Sequence, residues 1–210
     1  MSGKAPPLVA VIGARKTRKT TQVKDWLKKT PPRRLLIWDP IGGVQFGYDA
    51  VGTVFDDRTK LIDYVGARPS FAVVFHPGKL STYEEKFNWF CLLASELKNL
   101  TVVVDELADV TSPSWAPDAW REITRKGGNY GIASFGITQR PAEVDKTFLG
   151  NCSFIHCRRC NDEASIRTMA GYLRLPYADV AALTGYEFYE RNMDTGQVRR
   201  VPAKPTYVRM

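Results

Sequence analysis

Three groups of residues in this chain have the types and spacing for phosphate chemistry. The first is Gly13-Ala14-Arg15-Lys16-Thr17-Arg18-Lys19-Thr20-Thr21. A glycine followed at fixed distance by Lys-Thr is the pattern of a phosphate-binding loop, with Arg18 standing where that pattern has a second glycine. In such a loop the backbone N–H groups wrap the phosphates of ATP at a helix N-terminus. Lys19 would reach the β- and γ-phosphates and Thr20 would ligate Mg²⁺. An ordinary basic strand-to-helix turn is the alternative. The second group is Asp105-Glu106, which closes the apolar run Leu100-Thr101-Val102-Val103-Val104. Asp105 would face the Mg²⁺ and Glu106 would polarise an attacking water. Two adjacent acids at a buried strand end repel each other, and a metal and a water give both a role. The third is Gln139, at the tip of Ile132-Ala133-Ser134-Phe135-Gly136-Ile137. There it can hydrogen-bond the γ-phosphate or the lytic water, or else satisfy a turn.

Weaker candidates accompany these. Asp39 ends the apolar run Leu35-Leu36-Ile37-Trp38, at the edge where open α/β sheets bind ligands; it either holds a water or Mg²⁺ or caps the turn after it. His76 closes Phe71-Ala72-Val73-Val74-Phe75 and reads as structural, and Lys79 just beyond is a nucleotide or DNA contact or a solvated turn lysine. Cys157-Arg-Arg-Cys160, with Cys152 and His156 nearby, has half-zinc-site or redox spacing, but these cysteines read better as belonging to or flanking a strand. Cys91 reads as a core residue on a helix.

These residues need a framework of alternating strands and helices. Pro7 to Ile12 reads as a buried strand, and Thr21 to Lys29 as a helix with Val23, Trp26 and Leu27 at helical spacing. A strand near Val51–Phe55 and helices over 57–64, 82–99, 118–126, 164–173 and 177–183 follow from periodicity, with Leu61, Ile62 and Val65 sharing one side of the first of these helices. Gly127 to Gly131 reads as a flexible turn. Asp194-Thr195-Gly196 signals a C-terminal hairpin, beyond which Arg199, Arg200, Lys204 and Arg209 form a basic end that contacts DNA or a procapsid or is solvated.

The chain has 210 residues, 44% hydrophobic and 25% charged, with net charge +8. That length suits one domain over 7–210, preceded by a flexible tail over 1–6. The charge favours a polyanionic partner without specifying it. No run approaches the ~20 apolar residues of a membrane span, and Leu8 to Ile12 is too short for a signal-peptide core.

In their order, Gly13 to Thr20, Asp39-Pro40, Val103-Val104-Asp105-Glu106 and Thr138-Gln139-Arg140-Pro141 resemble the FtsK/HerA superfamily of DNA-pumping P-loop ATPases. The size is most similar to the genome-packaging ATPases of membrane-containing icosahedral viruses and phages. The resemblance covers residues of about 7 to 200. It implies a RecA-like α/β core with a mostly parallel sheet flanked by helices. It also implies a homo-oligomeric ring, usually a hexamer, with ATP and Mg²⁺ bound between subunits and double-stranded DNA driven through the channel. The setting it implies is the host cytoplasm, with proteins of the capsid vertex as partners. An arginine from the neighbouring subunit would complete each site. Arg125 is the first choice by placement and Lys126 the second, with Arg121 or Lys79 as substitutes.

Arg18 departs from the family pattern. It either tilts outward and is tolerated, or replaces a cation supplied elsewhere, or weakens the site. In the last case the chain is a degenerate P-loop assembly or structural factor. A conjugation- or segregation-type DNA pump is the other reading.

Overall fold

The computed structural model describes residues 5–202. The first four residues, most of the expected tail, lie outside that range, as do Lys204 and Arg209. Nine strands form one sheet in the order β3-β4-β2-β5-β6-β1-β7-β8-β9. They are β1 Leu8–Ile12, β2 Arg34–Trp38, β3 Thr53–Phe55, β4 Phe71–Phe75, β5 Thr101–Val104, β6 Ala133–Thr138, β7 Phe154–Arg158, β8 Phe188–Asn192 and β9 Val198–Val201. Strands β3 to β7 pair in parallel. Strands β8 and β9 add the expected antiparallel hairpin at one edge. Among the described residues no helix is long and apolar enough to cross a membrane.

The helices are α1 Lys19–Lys29, α2 Arg58–Gly66, α3 Tyr83–Leu97, α4 Asp118–Lys126, α5 Lys146–Asn151, α6 Glu163–Leu173 and α7 Tyr177–Ala181. Successive strand residues point to opposite faces, so the strands feed two cores. One face carries Ala10, Ile12, Leu36, Trp38, Val102 and Val104 beneath α2 to α7. The other carries Val9, Val11, Ile37, Val103 and Ile137 against Val23 and Leu27 of α1 and against Tyr48. The β1 segment is buried along its whole length, as a two-sided parallel strand must be. Trp38 anchors the larger core, edge-on to Tyr83, Phe87 and Phe90 with ring centroids 5.6, 5.2 and 5.7 Å away. Each such pair contributes roughly 0.5–1.5 kcal/mol beyond its burial.

Some expected boundaries move for local reasons. Helix α3 stops at Leu97 rather than Asn99, because Lys98 and Asn99 both take left-handed φ, 48° and 47°. The Arg34 guanidinium then donates to the carbonyls of Leu97 and Lys98, at 2.8 and 3.0 Å. In α2, Leu61 and Val65 are buried but Ile62 is 44% exposed; an i, i+4 pair defines the inner face, and Ile62 lies about 100° around the helix from Leu61. The expected flexible turn after α4 is a 3₁₀ helix, Gly127–Tyr130, ended by Gly131 at φ 72°.

Candidate functional site

Strand order assembles the site. Strand β6 lies between β5 and β1, so three chain segments meet at neighbouring carboxyl tips. These are the loop after β1, the acid pair after β5 and Gln139 after β6. Crevices at such tips are where open α/β sheets bind ligands.

The loop is pinned at its base from both sides. The Gly13 N–H donates to the Thr138 carbonyl at 3.2 Å and the Ala14 N–H to the Arg159 carbonyl at 2.7 Å. A Cβ on Gly13 would sit 2.8 Å from both the Arg158 Cβ and the Thr17 Oγ1, so only glycine fits. Lys16 and Arg18 then take left-handed φ, 64° and 68°. A non-glycine residue there costs roughly 1–2 kcal/mol. Helix α1 starts at Lys19 with no side-chain cap and no acid in its first turn, which leaves its N–H groups open to an anion. Lys19 is buried and its ammonium donates to the Ala14 carbonyl at 3.1 Å. Burial lowers its pKa, while Glu106 and Asp105 pull the other way.

Behind the loop, the Thr20 hydroxyl donates to Asp105 Oδ2 at 3.2 Å. The Glu106 N–H donates to Asp105 Oδ1 at 2.9 Å. Burial, with Glu106 adding to it, raises the pKa of Asp105 from 3.8 to about 7. A buried carboxylate and a hydroxyl side by side are hard oxygen donors, and that donor set suits Mg²⁺. Glu106 has left-handed φ, 50°, and its carboxylate accepts a hydrogen bond from the Gln139 side-chain amide. In front lies a cleft of about 650 Å³ lined by Arg15 to Thr21, Ile41, Gln45, Phe46, Glu106, Gln139 and Tyr186. That is the size of a nucleotide-scale ligand site.

The structure thus brings together Gly13, Ala14, Arg15, Lys16, Thr17, Arg18, Lys19, Thr20, Thr21, Asp105, Glu106 and Gln139. It does not bring Arg125 to them. Arg125 is exposed on α4, outside the residues that line the cleft. Its rivals on that helix are ion-paired locally, Arg121 with Asp118 at 3.3 Å and Lys126 with Glu122 at 3.3 Å. Asp39 is fully buried and accepts from the N–H groups of Ile41, Gly42 and Tyr48, so it caps the turn. His76 bonds Asp49 at 2.8 Å. Among the described residues Asp39, Asp49 and His76 are the one group of three or more His, Cys, Asp or Glu side chains whose ligand atoms lie within 4.8 Å of one another. Cys152, Cys157 and Cys160 are buried free thiols in or beside β7. Arg199 and Arg200 are ion-paired with Glu190 and Glu187.

Sequence reasoning gave Tyr186 and Arg158 no role at the cleft. The Arg18 guanidinium lies over the Tyr186 ring, 4.2 Å from its centroid. The guanidinium is therefore stacked at the wall of the cleft, which both residues line. Arg158 is buried, donates to the Tyr186 carbonyl at 3.0 Å and to Gln22 Oε1 at 3.1 Å, and so ties Tyr186 to α1. Neither residue belongs to a local pattern.

No protein-family model matches the chain. A segment of 104 residues is 36% identical to Protein P9 of Pseudoalteromonas phage PM2, and the match spans 48% of each chain. Among solved structures, the genome packaging NTPase B204 of Sulfolobus turreted icosahedral virus 2, in complex with sulfate, superposes with TM-score 0.78. It is 14% identical, with 98% of this chain and 100% of that chain covered. VirB4 of Thermoanaerobacter pseudethanolicus superposes with TM-score 0.65 at 10% identity, over 95% of this chain and 90% of that one. At these identities the likeness is one of fold. The mixed α/β P-loop NTPase fold expected from the motifs is the fold observed.

Proposed function

We propose that this protein is an ATP-hydrolysing motor that moves double-stranded DNA and packages a viral or phage genome into a preformed capsid. The reading rests on one observation above all. Lys19, Thr20, Glu106 and Gln139, from three separate strand tips, line a single cleft, and Asp105 is bonded to Thr20 behind it. The fold shared with B204, which has been solved with AMPPCP and ATP-γS, supports a nucleotide as the occupant.

Each side chain has a task in that reading. Lys19 exchanges the Ala14 carbonyl for phosphate oxygens, which are stronger acceptors for an ammonium. The open N–H groups at the start of α1 take the β-phosphate. Thr20 and Asp105 would hold Mg²⁺, which supplies charge neutralisation at the phosphates when bound. Glu106 orients and polarises the attacking water, and Gln139, bonded to it, registers the loss of the γ-phosphate.

Arg125, exposed and making no ion pair among the described residues, is the candidate to reach a neighbouring subunit's cleft in a homo-oligomeric, hexameric ring. The net charge of +8 suits contacts to DNA phosphates, independent of sequence and weakened by salt. The work would be done in the host cytoplasm at the capsid vertex. Residues 7–210 would act as one ATPase domain. Against the rival reading, a P-loop disabled by Arg18, stands the stack of the Arg18 guanidinium on Tyr186, which holds it at the wall of the cleft.

Translocation is tested by displacement of a third strand from a DNA triplex in the presence of ATP. The motor reading expects displacement that needs ATP hydrolysis and fails in Glu106→Gln. ATP turnover without displacement, in a preparation shown to form rings, would overturn it.

A further inference from the structure

The guanidinium that replaces the motif glycine is held at the mouth of the cleft by an aromatic ring that is itself fixed in place. Arg18 and Tyr186 both line the cleft, and the guanidinium lies 4.2 Å from the ring centroid. Arg18 is exposed and, among the described residues, makes no ion pair. Tyr186 is not on a free loop. Its carbonyl accepts from the buried Arg158 at 3.0 Å, and the same guanidinium reaches Gln22 on α1 at 3.1 Å. Arg158 also lies over the Phe188 ring at 4.9 Å. The ring thus keeps a set position relative to the helix that starts at Lys19.

One face of the Arg18 guanidinium is taken by the ring. Its N–H edges make no hydrogen bond among the described residues, and Arg18 lines the cleft. Stacking on an aromatic face orients a guanidinium without using its donors, which stay free for bidentate contact with phosphate.

We propose that Arg18 is a phosphate-contacting residue of the cleft and that Tyr186 is its positioning residue. This rests on the reading of the cleft as a nucleotide site. On entry of a nucleoside triphosphate the guanidinium donates to the phosphate chain from the same subunit while it keeps its stack on Tyr186. The sign of the effect is opposite to that expected from the loop motif: restoring the glycine weakens binding.

The test is binding of AMPPCP with Mg²⁺, followed by calorimetry on the full chain. The variants are Arg18→Gly, Tyr186→Leu, Tyr186→Phe, the double variant Arg18→Gly/Tyr186→Leu, and Lys19→Ala. Thermal melting accompanies each to show that it folds. Arg18→Gly is expected to weaken binding about tenfold, the scale of one charge-assisted contact. Tyr186→Leu should weaken it several-fold, Tyr186→Phe should bind as the parent does, and the double variant should be no worse than Arg18→Gly. Equal or tighter binding by Arg18→Gly overturns the proposal. So do losses that add in the double variant, since they would mean that Tyr186 does not act through Arg18. Lys19→Ala separates the two readings. If it abolishes binding, the nucleotide site stands whatever Arg18 does. If the parent does not bind, or binds equally well without Lys19, the nucleotide reading fails and the Arg18 proposal falls with it.

Discussion

The Thr20 hydroxyl donates to Asp105 Oδ2 at 3.2 Å, joining the first turn of α1 to the tip of β5 across 85 residues of chain. Asp105 is buried where it is poorly solvated, and that burial, with Glu106 adding to it, raises its pKa to about 7. The apparent cost follows from the gap between 3.8 and about 7, roughly 4 kcal/mol at alkaline pH. Asp105→Asn removes the charge but loses an acceptor, a loss of about 1–2 kcal/mol. The variant is expected to melt about 5 °C above the parent at pH 8, a net gain of about 2 kcal/mol. It should at the same time lose Mg²⁺-dependent nucleotide binding. Calorimetric melts and AMPPCP titrations check both halves.

The same carboxyl sets a pH dependence. Its pKa is higher folded than unfolded, so its protonation favours the folded state. That contribution is complete below about pH 3.8 and is lost as pH rises to about 7. Between those values the ligand-free protein should lose stability from this group. A bound divalent cation favours the ionised form, so binding of Mg²⁺ with nucleotide near pH 6.5 should release up to about three-quarters of a proton from this group. Titrations in buffers of different ionisation enthalpy measure it, and no buffer dependence would contradict the assignment of Asp105.

Glu106 and Gln139 share a hydrogen bond but should fail differently. Glu106→Gln removes the base and is expected to lower ATP turnover by at least about 10²-fold while nucleotide still binds. Gln139→Ala leaves the base in place, freer to move, and should lower turnover by about tenfold. Single-turnover kinetics with matched binding measurements separate the two.

Much of this site was legible because its parts are local. Gly13, Lys19 and Thr20 sit in one loop, and Asp105-Glu106 sits at the end of one apolar run, so spacing alone shows them. The α/β fold was legible for the same reason: β1, β4 and β5 are short apolar runs and α3 has a helical stripe. Asp39 could not be decided, since a strand-end acid faces either a ligand or its own turn, and only the three N–H groups it accepts from reveal the second. Tyr186 and Arg158 were illegible. They meet Arg18 and Gln22 only because β7 and β8 extend the sheet beside β1, and no local pattern encodes that neighbourhood.

Gly136 tests the packing that sets the strand tips. It lies on β6, where an added Cβ would be 2.4 Å from the Phe148 ring and 2.9 Å from a Leu107 methyl. Gly136→Ala is expected to destabilise by about 1–3 kcal/mol through overpacking. Because Leu107 follows Glu106 directly, turnover should fall as well. Urea unfolding and steady-state ATP hydrolysis on one preparation read both effects.

The measurement that bears most directly on the central claim is ATP turnover by the purified protein with and without double-stranded DNA, beside Glu106→Gln. The account predicts turnover that DNA stimulates, that falls with rising salt as phosphate contacts are lost, and that Glu106→Gln abolishes. Nucleotide binding with no turnover, or turnover that neither DNA nor Glu106→Gln alters, would contradict it.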